Sequence, residues 1–258
     1  MHSRGGIEVG FSLTNLFGKK TNEFVIPDIS ELPELGKELE DYSWKDIDLI
    51  SRCGKASEYF EVGMTKEFRI GEEYFLSKIL DFNHESLEHG IHNYGISFST
   101  SSCVGKHKME SEEATNKGGW HLSKMKEYIE DFIYPELNEE LREVIKSVCK
   151  ITSKGSKQLK FDVTYDKLWL FSEREVFGNP SFSGFIVGDK ETIHEGEQYS
   201  IFKDINNRCM LLEGKEEPWW LRSPVITSKE NYCAVSKTGD FDIGYANMEA
   251  GIVFGFCI

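Results

Sequence analysis

The clearest pattern along the chain is a one-sided apolar stripe. Leu122, Met125, Tyr128, Ile129 and Phe132 fall at helical spacing, with Ser123 placed to cap the first turn. Pro135 interrupts the pattern, and Leu137, Leu141, Ile145 and Val148 predict a second helix. A third, short helix is predicted from Trp44 to Lys55, closed by Gly54. Between these lie strand-like runs: two around Gly63 within Tyr59–Ile70, one over Tyr74–Phe82, and a brief alternation from Ile96 to Phe98. The polar stretch Ser99–Lys117 reads as irregular. From Thr152 onward the chain turns to strand and loop. Lys167–Ser172 predicts a buried strand, and residues 178–188 predict a long surface loop. Trp219–Ser223, Tyr232–Ser236 and Gly251–Ile258 predict strands, with a turn at Lys237–Asp240. No period of 20–50 residues recurs, which argues against a solenoid or propeller.

Residues 1–41 do not share this texture. Phe11–Lys20 is a short amphipathic patch, followed by an acidic stretch punctuated by Pro27 and Pro33. Neither is long enough for a stable isolated helix. The expected organisation is a tail or linker over 1–41, with residues 11–40 as a possible handle for a partner chain, and one domain over 42–258. At 258 residues, with 39% hydrophobic and 13% aromatic content, the chain can bury a core without disulfide or metal support.

Charge narrows the partners. A net −14 repels polyanions, so no nucleic-acid partner is expected. Lys106, Lys108, Lys117, Lys124 and Lys126 are interrupted by Glu110, Glu112 and Glu113 and read as a solvated face. Cys53, Cys103, Cys149, Cys209, Cys233 and Cys257 occur singly, with no zinc-ribbon spacing, and are expected as buried thiols. No export signal or membrane span is read in the sequence. A cytoplasmic location is therefore expected, or association with a virion if the gene is phage-borne.

Few residues carry chemistry on their own. Asn83–His92 is the most metal-like segment, with His84 and Glu88 on one helical face and Glu85, His89 and His92 on another, but it lacks the HExxH order and contains Gly90. Gly118-Gly119-Trp120 has neither a phosphate-loop lysine nor a dinucleotide fingerprint, so its glycines are expected to clear space for a buried indole. There is no GxSxG elbow. Glu173 and Glu175, flanking Arg174, are expected to satisfy a strand end. In Pro218-Trp-Trp-Leu-Arg-Ser-Pro224, strand alternation sends Trp219 and Leu221 to one side and Trp220 and Arg222 to the other, with one indole in the core and one near the surface.

Taken as an ordered set, Trp44-Lys-Asp-Ile, Phe82-Asn-His84, Gly118-Gly-Trp120, Leu168-Trp-Leu-Phe-Ser172 with Glu175-Val176, Trp219–Pro224 and Gly251–Phe256 resemble the DUF6273 family of uncharacterised bacterial and phage domains. That family is in turn similar to C-type-lectin-like domains. The resemblance implies an α+β fold, two helices packed on a small mainly antiparallel sheet with long loops. The calcium-lectin motifs and the cysteine pair of formylglycine-generating enzymes are absent, so neither calcium-mediated sugar binding nor catalytic residues carry over. No cofactor and no metal are expected. The implied function is non-enzymatic binding of a protein or glycan through Arg222, Asn231, Tyr232, Tyr245 and Asn247, which flank the late strands. The alternatives are a metal-dependent hydrolase using His84, His89 and His92, and an intracellular assembly protein.

Overall fold

The computed structural model describes residues 27–87, 95–183, 186–187, 190–191 and 194–258. The strands are β1 Thr65–Ile70, β2 Glu73–Phe82, β3 Ile96–Thr100, β4 Lys106–Lys108, β5 Val148–Ser153, β6 Phe161–Asp166, β7 Trp169–Leu170, β8 Ile186–Val187, β9 Lys190–Glu191, β10 Met210–Leu212, β11 Lys215–Glu217, β12 Trp219–Pro224, β13 Asn231–Val235, β14 Phe241–Tyr245, β15 Glu249–Gly251 and β16 Phe254–Cys257. The α-helices are α1 Trp44–Arg52, α2 Ala56–Tyr59, α3 Lys124–Tyr128, α4 Glu139–Val144 and α5 Glu173–Phe177. The class is α+β with mostly antiparallel sheets.

Two five-stranded sheets carry the architecture, in the orders β1-β2-β3-β16-β7 and β14-β13-β12-β15-β4. In the second, β12 and β15 run parallel and the other pairs antiparallel. β5 and β6 form a separate hairpin. One core gathers Trp44, Phe98, Trp120, Trp220, Phe254 and Phe256, and a second gathers Phe171, Tyr199, Phe202, Trp219, Leu221 and Val235. β12 divides them by simple alternation. Trp219 and Leu221 enter the second core, while Trp220 enters the first; both indoles are buried, so neither stays near the surface as expected. Each is satisfied by a carbonyl, Trp219 Nε1–H donating to Arg208 and Trp220 Nε1–H to His107.

The helices differ from the periodicity in an informative way. Ser123 caps α3 as its position predicts, accepting the Lys126 N–H. The stretch then passes into a π-turn at Ile129–Ile133 and a 3₁₀ turn containing Pro135 at Tyr134–Glu136. Leu122 and Phe132 are exposed, so the stripe is narrower than the sequence suggests. The second predicted helix is only α4. Val148 opens β5 instead, because Val148, Lys150 and Thr152 alternate inward over Asp166, Thr164 and Asp162 of β6. The irregular 99–117 stretch contains β4, and the strand predicted over 167–172 shortens to β7 before α5. Trp120 is buried, but Gly119, at φ 57°, clears space for the Ser153 carbonyl rather than for the indole: a Cβ there would lie 2.0 Å from that oxygen.

The described part of the first 41 residues is held against the domain. The Tyr59 and Tyr42 hydroxyls donate to the Pro33 and Glu34 carbonyls, and Leu39 is buried. Phe11–Lys20 lies outside the described residues. No helix among the described residues is long and apolar enough to cross a membrane.

Candidate functional site

A buried layer of charge separates the β5–β6 hairpin from β12. It begins with the sequence Ser172-Glu-Arg-Glu175, a capping box: the Ser172 hydroxyl accepts the Glu175 N–H, and the Glu175 carboxylate accepts the Ser172 N–H at 2.9 Å. Because this turn is buried, the Glu175 carboxylate requires cations. Arg222, on β12, supplies a two-pronged contact from Nη1 and Nη2, and Lys150, on β5, donates at 3.0 Å. Burial alone would raise the Glu175 pKa; the charges of Arg222 and Lys150 overcome it and hold the carboxyl at about 2.

The cations are themselves fully engaged. Arg222 also donates to the Thr152 hydroxyl at 3.1 Å and to the Leu170 and Glu195 carbonyls at 2.9 Å. Lys150 donates to Glu85 at 2.6 Å and lies over the Trp169 ring, 4.1 Å from its centroid. Glu85 accepts the Tyr199 hydroxyl, and Tyr199 stacks on His84 at 4.0 Å. Burial lowers the His84 pKa, but its bond to Asp81 and the charges of Glu85 and Glu175 raise it overall.

Two further carboxyls tie down backbone. Glu173 accepts the N–H groups of Ser181, Phe182 and Ser183. Glu195 accepts the Ser153 N–H at 2.9 Å and the Ser223 hydroxyl. Burial pushes Glu195 up to about 7, against the opposing effects of Arg222, Ser223 and Ser153. A recess of about 240 Å³ opens onto this layer, lined by His84, Cys149, Lys150, Glu175, His194, Glu197 and Arg222 among others.

The arrangement holds loops in place. Residues 172–183 and the chain at 194–199 are pinned by groups whose donors and acceptors are already spent on one another. The buried thiols are poor nucleophiles: burial raises Cys103 and Cys257 to about 12, and it raises Cys233 well above the ordinary thiol value. All six cysteines are free. No cluster of three or more His, Cys, Asp or Glu with metal-binding geometry occurs among the described residues. His84 lies at the recess; His89 and His92 lie outside the described residues.

The five residues singled out as a binding set separate into two groups. Arg222 and Tyr232 are fully buried, so neither reaches a macromolecular surface. Asn231 and Asn247 are half-buried and Tyr245 is 51% exposed; Asn231 pairs across strands with Tyr245, which places them at one end of β13–β14. Ile243 and Met248 are also exposed there. Buried Asn116 fixes this end, donating to the Val225, Ser228 and Asn231 carbonyls. Sequence reasoning singled out Arg222, and Glu85 only as a member of the metal-like segment, but missed Lys150, Thr152 and Glu195. Only the Ser-x-x-Glu spacing at 172–175 was available as a local signal. Lys126, read as part of a solvated face, is instead buried beside Asp166 at 2.5 Å, since the stripe turns it inward.

Residues 88–258 match a family model described as a domain of unknown function (DUF6273). No curated protein and no solved structure matches the chain.

Proposed function

The chain belongs to the DUF6273 family, and from that premise we propose that it is a non-enzymatic binding domain of C-type-lectin-like architecture and of bacterial or prophage origin. The observation that carries this reading is the use of the buried charge. Glu173, Glu175, Glu195, Lys150 and Arg222 spend their hydrogen bonds on one another and on backbone, and so fix loops in place. A display scaffold needs loops held rigidly at low cost to their exposed side chains.

The contact face in this reading is the end of β13–β14, where Asn231, Tyr245 and Asn247 offer hydrogen bonds and stacking beside Ile243 and Met248. Its partner is a protein or a glycan. The test compares wild type with Asn231→Ala/Tyr245→Ala/Asn247→Ala on a glycan array and in affinity capture from bacterial lysate. Ligands held by wild type and lost by the folded variant support the face; identical retention by both sinks it. Metal analysis of tag-free protein supplies the complementary check, since near-stoichiometric transition metal would favour the hydrolase built on His84, His89 and His92.

A further inference from the structure

Trp120 and Lys126 meet at a second buried carboxylate, Asp166. Trp120 opens a 3₁₀ turn, and Lys126 lies on α3 behind its Ser123 cap. Glu130, four residues further on, contacts the Lys126 amine from the π-turn at Ile129–Ile133. Asp166 ends β6, and Thr164, two residues back, points to the same side of the strand. The Asp166 side chain is fully buried and that of Lys126 is 10% exposed, while Glu130 is half exposed.

The two oxygens of Asp166 are held differently. Oδ2 accepts the Trp120 indole N–H and the Thr164 hydroxyl, each at 2.8 Å. Oδ1 faces the Lys126 Nζ at 2.5 Å. The carboxyl carbon lies one C–O bond beyond that contact, at most about 3.7 Å from the nitrogen, close to the separation of a poised reacting pair. The site therefore joins an amine, an acyl carbon, two neutral donors on one oxygen, and a second carboxylate on the amine. These are the parts of an acyl-transfer centre. Lys150 also sits between two carboxylates, Glu85 and Glu175, but there Arg222 holds Glu175 at about 2, which leaves it a poor base for the amine.

We infer that Lys126 and Asp166 condense to a covalent amide, an isopeptide bond that the protein forms on itself. The bond from Lys126 Nζ to Asp166 Cγ forms, and the Asp166 Cγ–Oδ1 bond breaks. The ammonium gives up two protons in turn, and Glu130 carries them to the departing Oδ1, which leaves as water. Nothing is oxidised or reduced, and no other reactant enters. Trp120 and Thr164 hold the negative charge that gathers on Oδ2 in the tetrahedral intermediate. Glu130 ends as a carboxylate, placed to accept the single N–H of the new amide. Burial lowers the Lys126 pKa, but Asp166 and Glu130 raise it overall, so the pair starts charged. Condensation then removes two buried charges together, which lifts the cost of desolvating them. The link ties α3 to the β5–β6 hairpin, whose β5 carries Lys150 and Thr152 to the layer beside β12. It is independent of what the β13–β14 end binds.

Intact-mass spectrometry of the denatured full chain tests this. The wild type is expected to be lighter than its sequence mass by one water, and to yield a branched tryptic peptide joining the residues around Lys126 to those around Asp166. Lys126→Arg keeps a cation at the carboxylate and is expected at its full sequence mass. Asp166→Asn is expected to shed ammonia in place of water and so to reach the wild-type mass. Glu130→Gln, checked for folding by circular dichroism, is expected to link on the order of a hundredfold more slowly in a timed cell-free synthesis. A wild type at its full sequence mass overturns the proposal. So does a water loss that maps to other residues or persists in Lys126→Arg. Linkage of Glu130→Gln at the wild-type rate overturns the role of Glu130 as the base. Should a variant not fold, the wild-type mass and its branched peptide decide alone.

Discussion

Glu195 shows how a single buried carboxyl can set a pH dependence. Its folded pKa of about 7 lies above the ordinary carboxylate value, because burial outweighs Arg222, Ser223 and the Ser153 N–H. The folded state therefore holds a proton that the unfolded state releases, and its stability falls as pH rises from about 4.5 to 7. Glu195→Gln is expected to flatten thermal stability across that window and to raise it at pH 8 by on the order of 1 kcal/mol. Melting temperatures of both proteins from pH 4 to 8 check this; parallel curves would discard it. Glu175 acts in the opposite sense, its contribution being complete above about 4.5 and lost as pH falls towards about 2. None of this was legible in the sequence. Arg222 stood out by its company, but its partners arrive from Thr152, Leu170, Glu175 and Glu195, far along the chain, and pairing at such separation leaves no local pattern.

At the scale of elements, α5 is five residues long and owes its existence to its cap. A helix this short is unstable alone, so its first turn depends on Ser172. That hydroxyl accepts the Glu175 N–H and donates to the Glu195 carbonyl at 2.7 Å. Ser172→Ala removes both bonds and is expected to cost about 1–2 kcal/mol, read as a lower midpoint in urea unfolding. A cost no larger than that of an exposed serine substitution would show that the network does not depend on the cap. The sequence announced this element only through its Ser-x-x-Glu spacing. It announced the hairpin turn at Lys237–Asp240 better, since turn residues act locally. The helical stripe through Leu122–Val148 was legible as helix, but its breaks at Ile129 and Val148 were not. A π-turn keeps apolar residues on one side, and β5 is set by the inward pull of Lys150 and Thr152 towards partners elsewhere.

For the whole molecule, the decisive feature is β16. Gly251–Ile258 is buried throughout, and β16 lies between β3 and β7, inside its sheet. The Ser51 hydroxyl and the Ile96 N–H both donate to the Ile258 carbonyl, so two distant segments close on it. Deleting residues 254–258 is expected to abolish cooperative unfolding and the near-ultraviolet tryptophan signal, and a retained transition would contradict that dependence. The glycine-aromatic run at 251–256 was legible as a strand; its place between β3 and β7 was not, because strand order follows from contacts that span most of the chain.

That placement also fixes a timetable. β1, β2 and β3 leave the ribosome long before the strand that must lie beside β3, and until it emerges the nascent sheet keeps an open apolar edge. Closure of such distant contacts is slow, and chains waiting with open edges are prone to aggregation. Production of this protein should therefore respond more to chaperone supply and to slow, cool expression than to changes at its surface.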